Sequence, residues 1–514
     1  MNTYKFSRGG ISFEDPNAPA ADKSVLAFLP SISVVPLKQH SGSPACPLVR
    51  VGDTIREGEL LARPQDSGGA DIHAPIPGEI VQTCGWDTPP AQKNEAFVIK
   101  FKGGFEILGK KREEFPWENL SPFEIRALIN EAGVVEMSGS ERPLQSLFVE
   151  KLNEARMRTL VVRCVFDDPW LVADAILCRE RASAVVEGAS IAARAVEADR
   201  IIFAVSKNRK ETGKALLEEA KKRNAAATAV PAAPAVTLVQ VGSRYPQHGR
   251  REMEIALRKY EKKTLESLGA LLFIDPACLT AVYDAVKLRK PLVSRYVAVG
   301  GSAVRYPAVI NARIGTRVGE LFQQCGGFKK EPEYVGFGST LLGQKASSLN
   351  PTKRNNLDGL SRPGLVRPGL VRPGLKKSGL LQPSLDEPIT KTTYAVFAES
   401  ASPFSFLKKI PFITYDKREK HDRSGTSCIN CGLCRTVCPV GLDPDGICKR
   451  LTTSDYDEAY SHLIAQCHGC ACCEAVCPSR LPLCTVIKGF VPSASRSVSS
   501  SLSLPRSPFK EQPR

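Results

Sequence analysis

The stretch 467–478, CHGCACCEAVCP, packs five cysteines into eleven positions. A second crowded stretch lies upstream, CINCGLCRTVCPVGLDP at 428–444. Cys428, Cys431, Cys434 and Cys438, with Pro439 behind them, follow the spacing C-x2-C-x2-C-x3-C-P. The same spacing in the later stretch selects Cys467, Cys470, Cys473 and Cys477, followed by Pro478, and leaves Cys472 out of register.

This spacing is that of the run that ligates [4Fe–4S] clusters in bacterial ferredoxins. Three thiolates two residues apart wrap one face of a cubane, and the fourth, followed by proline, leaves that loop for the neighbouring cluster. The expected ligand sets are therefore Cys428, Cys431, Cys434 and Cys477 for one cluster, and Cys438, Cys467, Cys470 and Cys473 for the other. Zinc usually takes separated CxxC pairs, which two runs of four with trailing Cys-Pro do not match. Cys448, Cys472 and Cys484 read as buried thiols near the clusters. Cys46, Cys84, Cys164, Cys178, Cys278 and Cys325 stand alone and read as core thiols.

The 514 residues allow three or four domains, and 42% hydrophobic with 24% charged residues is ordinary for a soluble globular chain. No run of 18 apolar residues occurs, so no membrane-spanning helix is expected. The start lacks the apolar core of a secretion signal, which predicts a cytoplasmic protein with reduced thiols. The net charge of +16 attracts anionic partners, and its densest stretch is LKKIPFITYDKREKHDR at 407–423. No nucleic-acid-binding motif accompanies it, so nucleic acid is not an expected partner.

Residues 30–101 alternate apolar and polar positions between turns such as VGD, EGE and PIPGE. They resemble a barrel-sandwich hybrid, the fold of lipoyl and biotinyl domains, but no lysine occupies the hairpin-tip region RPQDSGGADIHAP, so carrier function is not expected. His40 and His73 read as structural. Residues 116–290 alternate helices with apolar strands (RTLVVRCVF, DRIIFAVSK, VTLVQVG), the pattern of a mostly parallel Rossmann-like sheet. Residues 291–343 return to strands, consistent with a small β-grasp unit. Three tandem RPGL units mark a solvated insertion, and the Ser/Pro-rich end reads as a disordered tail. The expected division is a barrel-sandwich hybrid domain (1–115), a Rossmann-like α/β domain (116–290), a β-grasp unit (291–344), a Pro/Gly-rich insertion (345–390), a helical two-cluster ferredoxin domain (391–490) and a tail (491–514).

Several stretches then occur in a fixed order: RGGISFEDPN (8–17), PLKQHSGSPACPLVRVGD (36–53), IHAPIPGEIV (72–81), YPQHGRREMEIAL (245–257), RYVAVGGSAVRYPAVINARIGT (295–316), ITKTTYAVFA (389–398) and the paired cysteine runs. Together they resemble the RnfC family, a component of the Rnf ion-translocating electron-transport complex. The resemblance implies a peripheral subunit on the cytoplasmic face of the cell membrane, beside membrane subunits that move an ion. It also implies a central domain similar to the flavin subunit of respiratory complex I, where a glycine-rich loop holds the FMN phosphate and NADH is the donor.

Here that loop reads AGVVEMSGSERPLQSLF (132–148). Gly133, Gly139 and Pro143 match the family, Glu136 and Glu141 fall at glycine positions, and Leu147 falls where the family has a lysine. A second family element matches at Asp168 and Pro169 but not at Arg163, Cys164 or Phe166. Two carboxylates facing a phosphate without a countercharge predict a degenerate FMN and NADH site. The expected function is one-electron relay from an acidic ferredoxin or flavodoxin, in place of NADH, through two [4Fe–4S] clusters to the membrane subunits. The alternative is an iron–sulfur adaptor for a soluble dehydrogenase, without ion transport.

Overall fold

The computed structural model describes residues 2–12, 14–88, 92–105, 113–138, 140–154, 157–227, 234–341, 344–345, 385–400, 428–453 and 458–489. The RPGL repeats, the basic stretch 407–423, the tail and Gly139 lie outside them.

Alternation of apolar and polar side chains builds two small facing sheets between residues 32 and 101. One runs Ile32–Pro36, Gln92–Phe101, Gly78–Thr88, Thr54–Ile55, and the other Cys46–Pro47, Leu60–Arg63, Ile72–His73. Val35, Ile55, Leu61, Ile72, Ile80, Phe97 and Ile99 close the core between them. Cys46 is exposed, contrary to the core role expected of it, because its short strand turns both residues outward.

The central sheet is four-stranded and wholly parallel, in the order Val236–Val241, Arg200–Ser206, Arg158–Cys164, Ala270–Ile274. Its strands are apolar on both faces because helices cover both, as parallel sheets require. Helix Pro122–Glu131 starts at Ser121 with a reciprocal capping box to Glu124. Helices Ala182–Ala195 and Pro276–Lys287 approach so closely that a Cβ on Gly188 would lie 2.1 Å from the Leu279 carbonyl oxygen.

A six-stranded sheet forms the third layer, ordered Ser24–Leu26, Ala308–Arg313, Ser294–Gly300, Ala395–Glu399, Tyr334–Phe337, Gln344–Lys345. Two of its strands come from far away in sequence. Ser24–Leu26 pairs in parallel with Ala308–Arg313, and Ala395–Glu399, grouped by sequence with the cysteine domain, lies inside this sheet and is wholly buried. The last described regions, 428–453 and 458–489, are helical and carry the clustered cysteines.

Two buried side chains tie these layers together. Trp170, in the α/β layer, donates its indole N–H to Asp15 at 3.1 Å and to Thr340 at 3.2 Å, joining the N-terminal segment to the six-stranded sheet's loops. Lys391 donates from Nζ to the carbonyls of Asp71 at 2.6 Å and Gly133 at 2.7 Å. Burial holds its ammonium down to about 7.

Gly188→Ala should lower stability by about 1–3 kcal/mol, the usual cost of overpacking a tight contact. A thermal melt of the purified chain reads the shift. An unchanged midpoint would contradict the close packing of these two helices.

Candidate cluster centre and flavin-like loop

Cys428, Cys431, Cys434 and Cys477 line one open cavity, with Asp445 and Leu481 also in its wall. The local backbone explains how they converge. Asn430 and Gly432 take left-handed φ values of 53° and 71°, curling the first run before the short helix Leu433–Val437. Cys477 enters from the other run, just past helix Cys472–Ala475. The second run repeats this geometry at a constant offset of 39 residues, that between Cys428 and Cys467. Gly469 and Ala471 are left-handed where Asn430 and Gly432 are, and Arg480 matches Gly441. Each trailing cysteine also accepts an N–H from the leucine four residues on: Leu442 N to Cys438 Sγ at 3.2 Å, and Leu481 N to Cys477 Sγ at 3.4 Å. Cysteine spacing alone does not mark these left-handed positions, although the 39-residue offset is visible in the sequence.

The thiols feel the neighbours that this arrangement gives them. Burial, then Cys470, Cys467 and Cys438, pushes the Cys473 thiol well above its ordinary value. Burial also raises Cys477, and Cys431 and Cys428 add to the effect. Cys472 is fully buried, packed with Ile11, Tyr245, Ala475 and Val476 against the α/β domain and bonded to the Cys470 thiol. Cys448 and Cys484 are buried inside the module. Among the described residues no three His, Cys, Asp or Glu converge as a single metal ion would need. A zinc ion draws its sulfurs to about 2.3 Å from one point. Four thiols around an open cavity, with backbone N–H groups directed at sulfur, are a donor set suited to an iron–sulfur cluster.

The module docks on the α/β domain through its second run. Tyr245 donates its hydroxyl to the Cys470 carbonyl at 2.9 Å, and His468 Nε2 lies 2.9 Å from Glu252 on helix Arg250–Thr264. Gly10 N donates to the Val437 carbonyl at 2.8 Å. Gly9, at φ 70°, runs so close that a Cβ would lie 2.6 Å from the Cys438 carbonyl oxygen. The RGG of the N-terminal segment is thus a clamp on the cysteine module. The first run faces outward, with Cys431 exposed and Ile429 64% exposed.

The flavin-like loop reaches a different place. In the central sheet the chain order reverses between strands Arg158–Cys164 and Ala270–Ile274, and such switch points, at the carboxyl ends of the strands, are where open α/β sheets bind ligands. Arg163 and Asp275 mark those ends, and both reach the loop. Gly133 is left-handed, at φ 67°, and packed on the Asp71 carbonyl. Glu136 is buried and turned back into its own loop, accepting the N–H of Ser138 at 3.3 Å and of Ser140 at 2.6 Å, and the Ser138 hydroxyl. Arg163 lies 3.8 Å from Glu136 and 2.8 Å from Asp275. Burial would raise the Glu136 carboxyl, but the hydrogen bonds from Ser138 and Ser140 and the charge of Arg163 hold it below its ordinary value.

Two expectations change here. A countercharge is present, because Arg163 reaches the loop from a strand that local sequence does not connect to it. Only one of the two carboxylates turns into the loop, since Glu141 accepts from the Thr392 hydroxyl at 3.0 Å instead. Leu147 is buried. Asp168 is buried too, raised by that burial to about 6, and caps Pro169–Leu171 by accepting from Trp170 N at 3.0 Å. His40 is fully buried and His73 half-buried; burial first, then Lys391, lowers them to about 4 and about 3. Glu136 takes the Ser138 and Ser140 amides, so those two N–H groups are not free for a phosphate.

Comparison with known proteins gives three family models. Residues 5–104 match the RnfC barrel sandwich hybrid domain, 129–266 the Nuo51 FMN-binding domain, and 296–335 the SLBB domain. The chain is 27% identical over 460 residues to the C-subunit of the ion-translocating oxidoreductase complex of Rhodobacter capsulatus, covering 88% of this chain and 76% of the relative. It is 26% identical over 444 residues to the C-subunit of the proton-translocating ferredoxin:NAD(+) oxidoreductase complex of Clostridium ljungdahlii, covering 86% and 83%. It is 21% identical over 435 residues to the corresponding subunit of the Na(+)-translocating complex of Acetobacterium woodii, covering 84% of each. A solved NAD+-reducing [NiFe]-hydrogenase overlaps 57% of this chain and 51% of its own at a TM-score of 0.41 and 15% identity, too loosely to carry an argument.

Gly9→Ala should loosen the clamp, because the neighbour it meets is backbone and cannot swing away. Amide exchange across 428–489 should speed up by roughly tenfold, about 1.4 kcal/mol of local stability. Unchanged exchange would show that the N-terminal segment does not hold the module.

Proposed function

We propose that this chain, a homologue of the RnfC-type subunits of ion-translocating oxidoreductase complexes, relays electrons one at a time through two [4Fe–4S] clusters. The observation that carries this reading is that the two cysteine runs repeat the same backbone turns while Cys477 joins the cavity of the opposite run. Cys428, Cys431, Cys434 and Cys477 would hold one cluster, and Cys438, Cys467, Cys470 and Cys473 the other. Such clusters supply one-electron redox chemistry whose potential responds to hydrogen bonds at sulfur and to solvent. The Leu442 and Leu481 amides, both directed at cysteine sulfur, favour the reduced, more negative state. Tyr245 and Ile11 shield the second run from water.

The donor we infer is a small acidic carrier such as ferredoxin or flavodoxin, not NADH bound to this chain. The support is Glu136, which takes the loop amides of the domain that matches the FMN-binding model. The chain's role is peripheral, on the cytoplasmic face of the membrane beside subunits that move the ion. Among the described residues no helix is long and apolar enough to cross a membrane. The named complexes of the relatives move protons in one case and sodium in another, so likeness does not fix the ion.

Purified without oxygen, the chain should carry about eight iron and eight acid-labile sulfide. Cys477→Ala should damage one cluster, whereas Cys472→Ala should leave both. Stoichiometric zinc without sulfide, or cluster loss from Cys472→Ala but not Cys473→Ala, would overturn the assignment.

The same preparation should release less than about a tenth of an FMN per chain on denaturation, read by flavin fluorescence, because a buried carboxylate already fills the phosphate position. One FMN per chain with rapid NADH oxidation would restore the flavin role.

A further inference from the structure

We infer that Cys472 and Cys484 are thiol donors that raise the reduction potential of the cluster at Cys438, Cys467, Cys470 and Cys473; this rests on the reading that those four sulfurs hold a cluster. The Cys472 thiol is hydrogen-bonded to the Cys470 sulfur, and the Cys484 thiol to the Cys467 sulfur. A sulfur bound to iron carries no proton, so in each pair the spare thiol is the donor and the ligand sulfur accepts.

Neighbouring elements hold both thiols in place. Cys472 opens helix Cys472–Ala475 and packs on Ile11 and Tyr245. Cys484 stands at the start of helix Leu483–Gly489, where Glu474 accepts its amide N–H at 3.0 Å and that of Thr485 at 3.2 Å. One turn on, Lys488 Nζ donates to the Cys467 carbonyl at 3.3 Å, so this helix grips the same ligand loop twice.

The 39-residue repeat is broken at these two positions. Leu433 and Asp445 of the first half correspond to Cys472 and Cys484 of the second. Leu433 is 37% exposed, whereas Cys472 is wholly buried. Asp445 sets a carboxylate oxygen 3.3 Å from Cys434 Sγ. Asn430, whose amide oxygen accepts from Lys449 at 3.0 Å, sets that oxygen 3.8 Å from Cys428 Sγ. Oxygens that only accept give nothing to an iron-bound sulfur. The third spare thiol, Cys448, donates to the Leu483 carbonyl at 3.6 Å. Each ligand set keeps one leucine amide on its trailing cysteine, so those amides do not separate the two.

Reduction adds one negative charge to a cluster, and removal from solvent opposes it. The first set includes the exposed Cys431. In the second set Cys438 and Cys473 are buried, and Cys467 and Cys470 are half-buried. The two thiols thus supply, at the less exposed site, donors that solvent supplies at the other. The electron goes to the cluster, and both protons stay on Cys472 and Cys484.

The test uses the full chain purified without oxygen. It reads iron and acid-labile sulfide, and the midpoint of each cluster from a redox titration followed by EPR. Cys472→Ala with Cys484→Ala should keep about eight iron and lower one midpoint by about 59 mV, a tenfold fall in the reduced-to-oxidised ratio. The other midpoint should move by less than about twofold in that ratio. Each single alanine variant should give part of the fall, so the test survives if the pair does not fold. Cys472→Ser with Cys484→Ser keeps a hydroxyl donor at both places and should stay within about threefold of the wild-type ratio, a rescue that lost packing alone would not show. Cys448→Ala should move neither midpoint.

No shift from the alanine variants, an equal shift of both midpoints, or a serine pair as low as the alanine pair would overturn the donor role. Loss of about four iron from Cys472→Ala or Cys484→Ala alone would overturn it too, by making that thiol a ligand. Absence of iron and sulfide from the wild type would instead sink the cluster reading, which keeps the two failures apart.

Discussion

Cys477 stands with cysteines almost fifty positions upstream of it, in the wall of one cavity. This crossing constrains the rest of the module. Each trailing cysteine is followed by proline and a left-handed residue, Gly441 or Arg480, which turn the chain out of its own run. A core of this size, built on Ile447, Ile464, Leu481, Leu483 and Ile487, contributes only a few kcal/mol by itself. Docking through Gly10, Tyr245 and Glu252 adds to what the small core supplies.

The same docking sets an inside and an outside. The second run meets the α/β domain at Cys470 and His468, while the first exposes Ile429 and Cys431 and is clamped at Val437 and Cys438. In the central sheet the switch point, where a ligand would ordinarily sit, is taken by Glu136, Arg163 and Asp275. Glu136 there is held by the Ser138 and Ser140 amides, and Arg163 is shared between Glu136 and Asp275. The domain keeps its scaffold, with its apolar strands and capped helices, and holds the cysteine module in place.

Much of this is written locally in the sequence. The cysteine spacing names the four thiols that line the cavity, whereas Cys472, out of register, lies beside Cys470 as well as Tyr245. Period-two alternation marks the sandwich strands, and the helix–strand rhythm marks the parallel sheet. What local reading misses is long-range. Ala395–Glu399 sits in the six-stranded sheet because its partners, Ser294–Gly300 and Tyr334–Phe337, lie before the insertion. Ser24–Leu26 joins the same sheet from the other end of the chain. Arg163 reads as a mismatch in its own stretch, yet it is the countercharge of the loop, a pairing that exists only once strand and loop meet. Cys46 is apolar by type and exposed by placement.

The central claim is that two clusters share crossed ligands in a chain whose flavin loop is closed by its own carboxylate. Crystals grown without oxygen, with an anomalous difference map at the iron edge, test it most directly. The account predicts two iron sites, one bounded by Cys428, Cys431, Cys434 and Cys477 and the other by Cys438, Cys467, Cys470 and Cys473, with Glu136 still bonded to the Ser138 and Ser140 amides. A single site, a zinc edge in place of iron, Cys438 and Cys477 each bound within its own run, or FMN seated on the loop would contradict it.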